Sequence, residues 1–348
     1  MKKYIVCFII ITGISIGFIA CKKNIPTNES LFNYALPSSP PDYNPSWSTQ
    51  ENWKIHLGRM LFYDKQLSVA NTVSCGSCHK QQFGFADNAK FSTGVRGIKT
   101  SRNAPTIARS FGGLFWDGRT NSLEQLSTEP VLNHLEMGIE NFDEVIVKLK
   151  KIEVYNQVFQ NAGFQNITEI NIQASMARFM SSLVTDNLNH TWKNLDFLSG
   201  KAELGRIVFN KNCGHCHSGQ SFDNNWSFFS NSKNIGLDYD YEDNGIGALW
   251  KDPNQDGMFR VPSLVNAVYT APYMHDGRFE TLEQVVEHYN SGIKKHKNLS
   301  WELHSEQGQQ PLRMNLSKSD KEALVSFLKS IKSDQLIGDT NYSNPYSS

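Results

Sequence analysis

Along the chain, apolar residues recur at a spacing near 3.6 rather than in strict alternation. Segments 142–160, 170–186, 281–289 and 319–332 carry such a stripe and predict helices. Ser319, followed three positions later by Glu322, predicts a capping box at the start of the last one. Strand-like alternation is scarce, so the predicted class is mainly α. Residues 222–257 are rich in Asn, Asp and Gly and predict a long loop region. Residues 22–45 hold Pro, Ser and Asn and read as a flexible tether; residues 336–348 are polar and are expected to be a loose tail. A boundary is expected near LDFLSG (195–200), separating 46–195 from 196–335.

The first residues follow a different logic. Lys2 and Lys3 precede an apolar run from Tyr4 to Ala20, which ends at Cys21. A charged start, an apolar middle and a small residue before the cut describe an export signal over 1–21. The run is slightly short for a membrane helix, and polar KKN follows at once. The ending FIAC resembles a bacterial lipoprotein signal, with Cys21 as the lipidated residue; a plain secretory signal is the alternative. Either puts the remaining chain in the periplasm or cell envelope, and in the lipoprotein case the lipid is its only membrane contact.

Composition adds little. A length of 348 residues suits two domains, and 39% hydrophobic content suits a sizeable core. A net charge of +0 gives no reason to expect nucleic acid. Aromatics at 11% suit the lining of a flat ligand and equally an ordinary core.

The cysteines change the picture. Cys7 and Cys21 belong to the signal; the other four form SCGSCHK (Cys75, Cys78, His79) and NCGHCHS (Cys213, Cys216, His217). C-x-x-C-H is the attachment signature of c-type haem: two thiols for the vinyl groups and an imidazole for the iron. A thioredoxin-like pair would want a βαβ context, and a closed zinc site has no need of a histidine after each pair. Two covalent haems are the predicted cofactors.

Both motifs lie in a longer duplication. LGRMLFYDK (57–65) and LGRIVFNKN (204–212) precede them; RNAPTI (102–107) and RVPSLV (260–265) follow. WDGRTNSLEQ (116–125) then matches HDGRFETLEQ (275–284) without a gap.

Two such units with FWDGR between the motifs resemble the bacterial di-haem cytochrome c peroxidases, a group that includes MauG. The resemblance covers roughly 50–335 and implies two tandem cytochrome c-like domains with long loops, each opening on its LGR helix. It implies a peroxide-reactive haem on Cys75, Cys78 and His79, and an electron-receiving haem on Cys213, Cys216 and His217. Trp116 resembles the tryptophan between the haems, Glu136 of HLEMG the acidic residue of the peroxide pocket, and Gln125 a glutamine there. Without the family match these would be a core indole, a solvated or capping carboxylate and a helix-surface amide. A carboxylate beside an open iron can move a proton between the two peroxide oxygens. Asn103, Thr270 and the Pro272 carbonyl resemble the family's calcium site. Partners implied are hydrogen peroxide, a small cytochrome c or cupredoxin as electron donor, and a second copy of the chain in a homodimer.

The chain departs from that pattern twice. Residues 83–101 hold no histidine where many relatives place a sixth ligand, so the first haem is expected to be open; nothing places His134 there. The segment VVEHYN has no methionine but carries Tyr289, which resembles MauG's tyrosine ligand. A phenolate favours ferric iron and a thioether does the reverse. Met274 and His288 are the competing ligands, and a plain buried helix aromatic is the competing reading of Tyr289. Three functions follow: a peroxidase reducing hydrogen peroxide to water; a MauG-like oxidase acting on a protein or small molecule; and a non-catalytic two-haem carrier, which the open first haem argues against.

Overall fold

In the computed structural model, residues 34–108, 113–195, 198–219, 222–223, 232–305, 308 and 310–346 are described. The signal, Cys21 and the first part of the tether fall outside them. Helices dominate. Ser48 accepts the Glu51 N–H and starts α1 (Thr49–Tyr63). Then follow α2 (Cys75–Cys78), α3 (Leu123–Leu132), α4 (Asp143–Lys150), α5 (Glu153–Asn161) and α6 (Glu169–Leu195). The later part holds α7 (Gly200–Asn212), α8 (Ile246–Trp250), α9 (Leu282–Glu287), α10 (Lys318–Ser330) and α11 (Asp334–Gly338). Strands β1 (Ser232–Lys233) and β2 (Phe259–Arg260) pair antiparallel, Ser232 opposite Arg260.

The duplication reappears as packing. α1 crosses α6, and α7 crosses α10. The glycine of each LGR sits at its crossing. A Cβ at Gly58 would fall 2.0 Å from the Ser175 carbonyl oxygen, and one at Gly205 would fall 1.9 Å from that of Ala323. Only glycine permits these approaches. Around each crossing stands a trio of phenylalanines. Phe62 lies 5.3 Å from Phe179 and 6.1 Å from Phe85. Phe209 lies 5.0 Å from Phe327 and 5.8 Å from Phe222. The first trio's core includes Cys75 and the second's includes Cys213. Each C-x-x-C-H motif is therefore seated on the aromatic end of a helix crossing.

Several expected boundaries shift. The stripe over 142–160 breaks at Lys151–Ile152, where Ile152 turns extended and starts a new helix. The last long helix is capped two residues earlier than expected: Ser317 accepts the Asp320 N–H while the Asp320 carboxylate accepts the Ser317 N–H and hydroxyl. Glu322 instead reaches Lys201. The segment 281–289 is α-helical only to Glu287, and a π-turn over His288–Gly292 follows.

The tether and tail are also less loose than their polarity suggested. Buried Arg59 of α1 donates to the Thr340 and Ser343 carbonyls, drawing the tail onto α1. Tyr342 is buried, and the Tyr346 hydroxyl donates to the Met60 carbonyl. Tyr34 and Tyr43 of the tether reach His56. Aromatic anchors spaced among polar residues escape a reading based on polarity alone.

Candidate functional site

One helical turn places Cys75 and Cys78 on a single face, and the His79 N–H closes the turn onto the Cys75 carbonyl at 2.9 Å. The His217 N–H bonds the Cys213 carbonyl at the same 2.9 Å. The imidazoles are held alike. His79 Nδ1 lies 3.0 Å from the Phe85 carbonyl, and His217 Nδ1 lies 2.8 Å from that of Phe222. The Pro105 carbonyl also bonds His79, and the Pro262 carbonyl bonds His217. A donor at Nδ1 leaves Nε2 as the lone-pair nitrogen. Burial lowers both pKa values, His217 to about 4, which keeps the rings neutral.

Phe85 and Phe222 adopt φ of 59° and 54°. A left-handed phenylalanine is strained by roughly 1–2 kcal/mol. Here the strain turns a carbonyl toward histidine while the ring stays in its trio. Sequence reading did not single out these residues; their signal was the matching Phe after each motif, at unequal spacing.

The thiols are unpaired and buried enough that Cys75 and Cys213 are pushed up to about 12, and Cys216 to about 11. Such thiols are poor thiolate ligands. Among the described residues, no group of three His, Cys, Asp or Glu converges as a metal site, so the two pairs do not meet.

A largely apolar cavity opens over the second motif. Its wall includes Phe209, Cys213, Cys216, His217, Tyr289 and Met274. Trp116 lines it too, with its indole N–H donating to the Asn103 carbonyl at 2.8 Å. Asn103 is two residues from Pro105, whose carbonyl holds His79, so Trp116 is tied to the first motif while facing the second. Asn103, Thr270 and Pro272 line the same cavity. The Asn103 amide nitrogen donates to the Ala89 carbonyl, and the Thr270 hydroxyl makes a long 3.4 Å bond to the Ala267 carbonyl.

Tyr289 stands on the π-turn and faces Cys213 and Cys216, with its pKa raised chiefly by burial. Among the described residues, no hydrogen bond to its hydroxyl is formed. Single π-turns commonly mark functional positions. His288 is not on the cavity wall; its Nε2 bonds the Ile235 carbonyl at 3.0 Å. It therefore braces the turn. Met274 does line the cavity, and Met314, which sequence reading passed over, lines it as well.

Near the first motif the placements divide. Glu136 is close enough to both Cys75 and Cys78 to raise their pKa values. Its own carboxyl is raised by burial, against lowering by Arg119 and by an Asn133 amide that donates to Oε1 at 2.9 Å. Gln125 is not brought to the motif. It is exposed, and its Oε1 accepts the Thr120 hydroxyl at 2.7 Å, closing the turn before α3. Gln284 closes the equivalent turn of the second repeat, so the repeat preserves that amide for a local reason. His134 is exposed.

The family description "Di-haem cytochrome c peroxidase" matches residues 52–203. The methylamine utilization protein MauG of Methylophilus methylotrophus is 30% identical over 93% of this chain and 94% of its own. The cytochrome c551 peroxidase of Nitrosomonas europaea is 30% identical over 82% of each chain. The chain belongs to the di-haem cytochrome c peroxidase family. A crystal structure of a MauG-like protein associated with microbial copper homeostasis superposes with a TM-score of 0.76 at 29% identity, covering 92% of this chain and 99% of that one.

A di-haem peroxidase relative implies two c-type haems, and the residues present fit them. Each motif supplies two thiols on one face and a neutral imidazole with Nε2 unclaimed, and the second is roofed by an apolar cavity. The Cys75–His79 and Cys213–His217 sets are the residues that would hold the groups. Family membership also accounts for the mainly α architecture. Among the described residues no helix is long and apolar enough to cross a membrane.

Proposed function

We propose that this peroxidase-family protein reduces hydrogen peroxide to water at the Cys75–His79 site, with electrons entering through the Cys213–His217 site from a small cytochrome c or cupredoxin. The observation that carries this reading is the half-buried Glu136 carboxyl beside the first motif. Haem bound there supplies the redox chemistry of O–O cleavage. Glu136 supplies the proton movement. Its Oε2, the oxygen not held by Asn133, takes the proton from the inner peroxide oxygen and returns it to the outer one. Asn133 fixes the carboxyl and Arg119 favours its ionised form. Trp116, anchored on Asn103, is the electron conduit between the sites. Calcium at Asn103, Thr270 and Pro272 would hold that anchor in place. Export, a lipid at Cys21 and a homodimer belong to the same reading. The test is turnover: peroxide consumed steadily with a reduced small cytochrome or cupredoxin. A protein that accepts electrons without consuming peroxide is a carrier instead.

A second reading has its own support in Tyr289, which faces the second motif with its hydroxyl unbonded among the described residues. Phenolate ligation there favours oxidised iron and suits a MauG-like oxidase that directs peroxide's oxidising power onto a protein side chain or a small molecule. Peroxide consumed by the fully oxidised protein without a donor, with a long-lived oxidised product state, distinguishes it.

A further inference from the structure

The two halves differ at one position beside the motif. In the first, an added Cβ at Gly76 would fall 2.4 Å from the Tyr63 ring. In the second, the equivalent glycine, Gly214, faces the backbone of Asn210, which stands where the first half has Tyr63. The tyrosine is thus specific to the half assigned to peroxide, and it is the first of a continuous series.

The Tyr63 hydroxyl donates to the Tyr342 carbonyl at 2.9 Å. The Tyr342 ring lies 5.7 Å from that of Tyr43. Tyr43 and Tyr34 bracket one imidazole, His56, at 3.4 Å from Nδ1 and 2.8 Å from Nε2. The Tyr34 ring meets Tyr346 edge to face at 5.4 Å. The Tyr346 hydroxyl is 3.2 Å from that of Tyr155, which donates to Asp64 Oδ2 at 2.7 Å. Six of the chain's 12 tyrosines stand in this line. Phenylalanine would fill the same space; phenols with an imidazole and a carboxylate among their partners do more than fill it.

We propose that this series is a radical-transfer path, carrying oxidising equivalents from the first site to the half-exposed Tyr34 and Tyr346 when no electron donor is bound. The inference rests on the peroxidase reading. Hydrogen peroxide is the oxidant and takes two electrons and two protons from the site and solvent to give two waters. Two tyrosines each lose one electron and one proton and become neutral phenoxyl radicals. The Tyr34 proton passes to His56 Nε2; the Tyr346 proton passes to the Tyr155 oxygen as Tyr155 hands its own to Asp64 Oδ2. Burial lowers His56 to about 3, so its ring is neutral and one nitrogen accepts. Burial raises Asp64 to about 6, so it is ionised at pH 8. The buried Arg59 guanidinium lies close enough to Tyr34, Tyr43 and His56 to lower the pKa of each, against the effect of burial on the two phenols.

The test treats the fully oxidised di-haem protein at pH 8 with one equivalent of hydrogen peroxide and no donor. Paramagnetic resonance after rapid freezing is paired with a nitroso spin trap and peptide mass spectrometry. The expected result is a tyrosyl signal, with trap adducts on Tyr34 and Tyr346. Tyr63→Phe should cut those adducts severalfold while peroxide is still consumed. Tyr43→Phe, farther from the motif, should lose the Tyr34 and Tyr346 adducts while a tyrosyl signal persists in the frozen sample. Peroxide consumed with adducts absent from this line, or unchanged in both variants, overturns the path and leaves the tyrosines as anchors for the tether and tail. Peroxide left unconsumed overturns the peroxidase reading, and the path with it.

Discussion

Trp116 and His275 occupy equivalent positions in the duplicated DGR turns, and the two rings meet edge to face, 6.5 Å apart at 75°. The contact is held from both sides. The Trp116 carbonyl accepts the Arg260 N–H at 2.8 Å, and the His275 carbonyl accepts the Asn103 N–H at 2.8 Å. His275 is stacked on Phe259 at 3.8 Å, and burial lowers it to about 4. The duplicated turns therefore meet at their chemically different residues. Trp116→Phe should slow steady turnover with a reduced donor while sparing the first reaction with peroxide, because in the proposed function only the electron supply crosses the indole. Stopped-flow traces with and without donor separate the two. Equal slowing of both phases would remove Trp116 from the path.

Glu136→Gln should lower the rate of the peroxide reaction by about 10²–10⁴, the usual contribution of a positioned acid–base group. Glutamine keeps the size and the Asn133 contact but takes no proton. Because burial raises the Glu136 carboxyl, the wild-type rate should climb with pH through a value above the ordinary carboxylate range. The variant should lack that limb. A pH profile of the same shape in both proteins would assign the proton transfer elsewhere.

Tyr289→Phe tests the second site. The resonance signal of one ferric haem should change and the other should hold. An unaltered spectrum would return the ligand to Met274 or His288, with Met314 on the same cavity wall as Met274 a further candidate.

Asp64 offers a stability test. Burial lifts it from 3.8 to about 6 in the folded chain, so folding favours the protonated form. Its contribution is then fully present below pH 3.8 and is lost as pH rises through 6. The linkage amounts to at most about 3 kcal/mol. Asp64→Asn should flatten urea-measured stability between pH 4 and 7, and parallel profiles would refute the assignment.

Much of this was legible in the chain. Gly58 and Gly205 stood in the LGR repeats, and the structure explains them as the points where helix crossings leave no room for a Cβ. The C-x-x-C-H motifs announced their own chemistry because covalent attachment needs contiguous residues. Contacts over long separations were not legible. Arg59 meets Thr340 and Ser343 nearly three hundred positions away, so the polar tail read as loose. The capping box moved because Ser317 with Asp320 serves as well as Ser319 with Glu322, and only packing decides between them. Gln125 recurs as Gln284 for a local reason that the repeat does not reveal: each amide closes the turn before its helix.

The assignment of peroxide chemistry to the first motif is tested most directly by His79→Gly. The variant should still bind both groups through its four cysteines. It should lose peroxide turnover with a reduced donor and keep the visible and resonance signature of the second site. Turnover surviving at the wild-type rate would contradict the assignment and move the reaction to Cys213–His217.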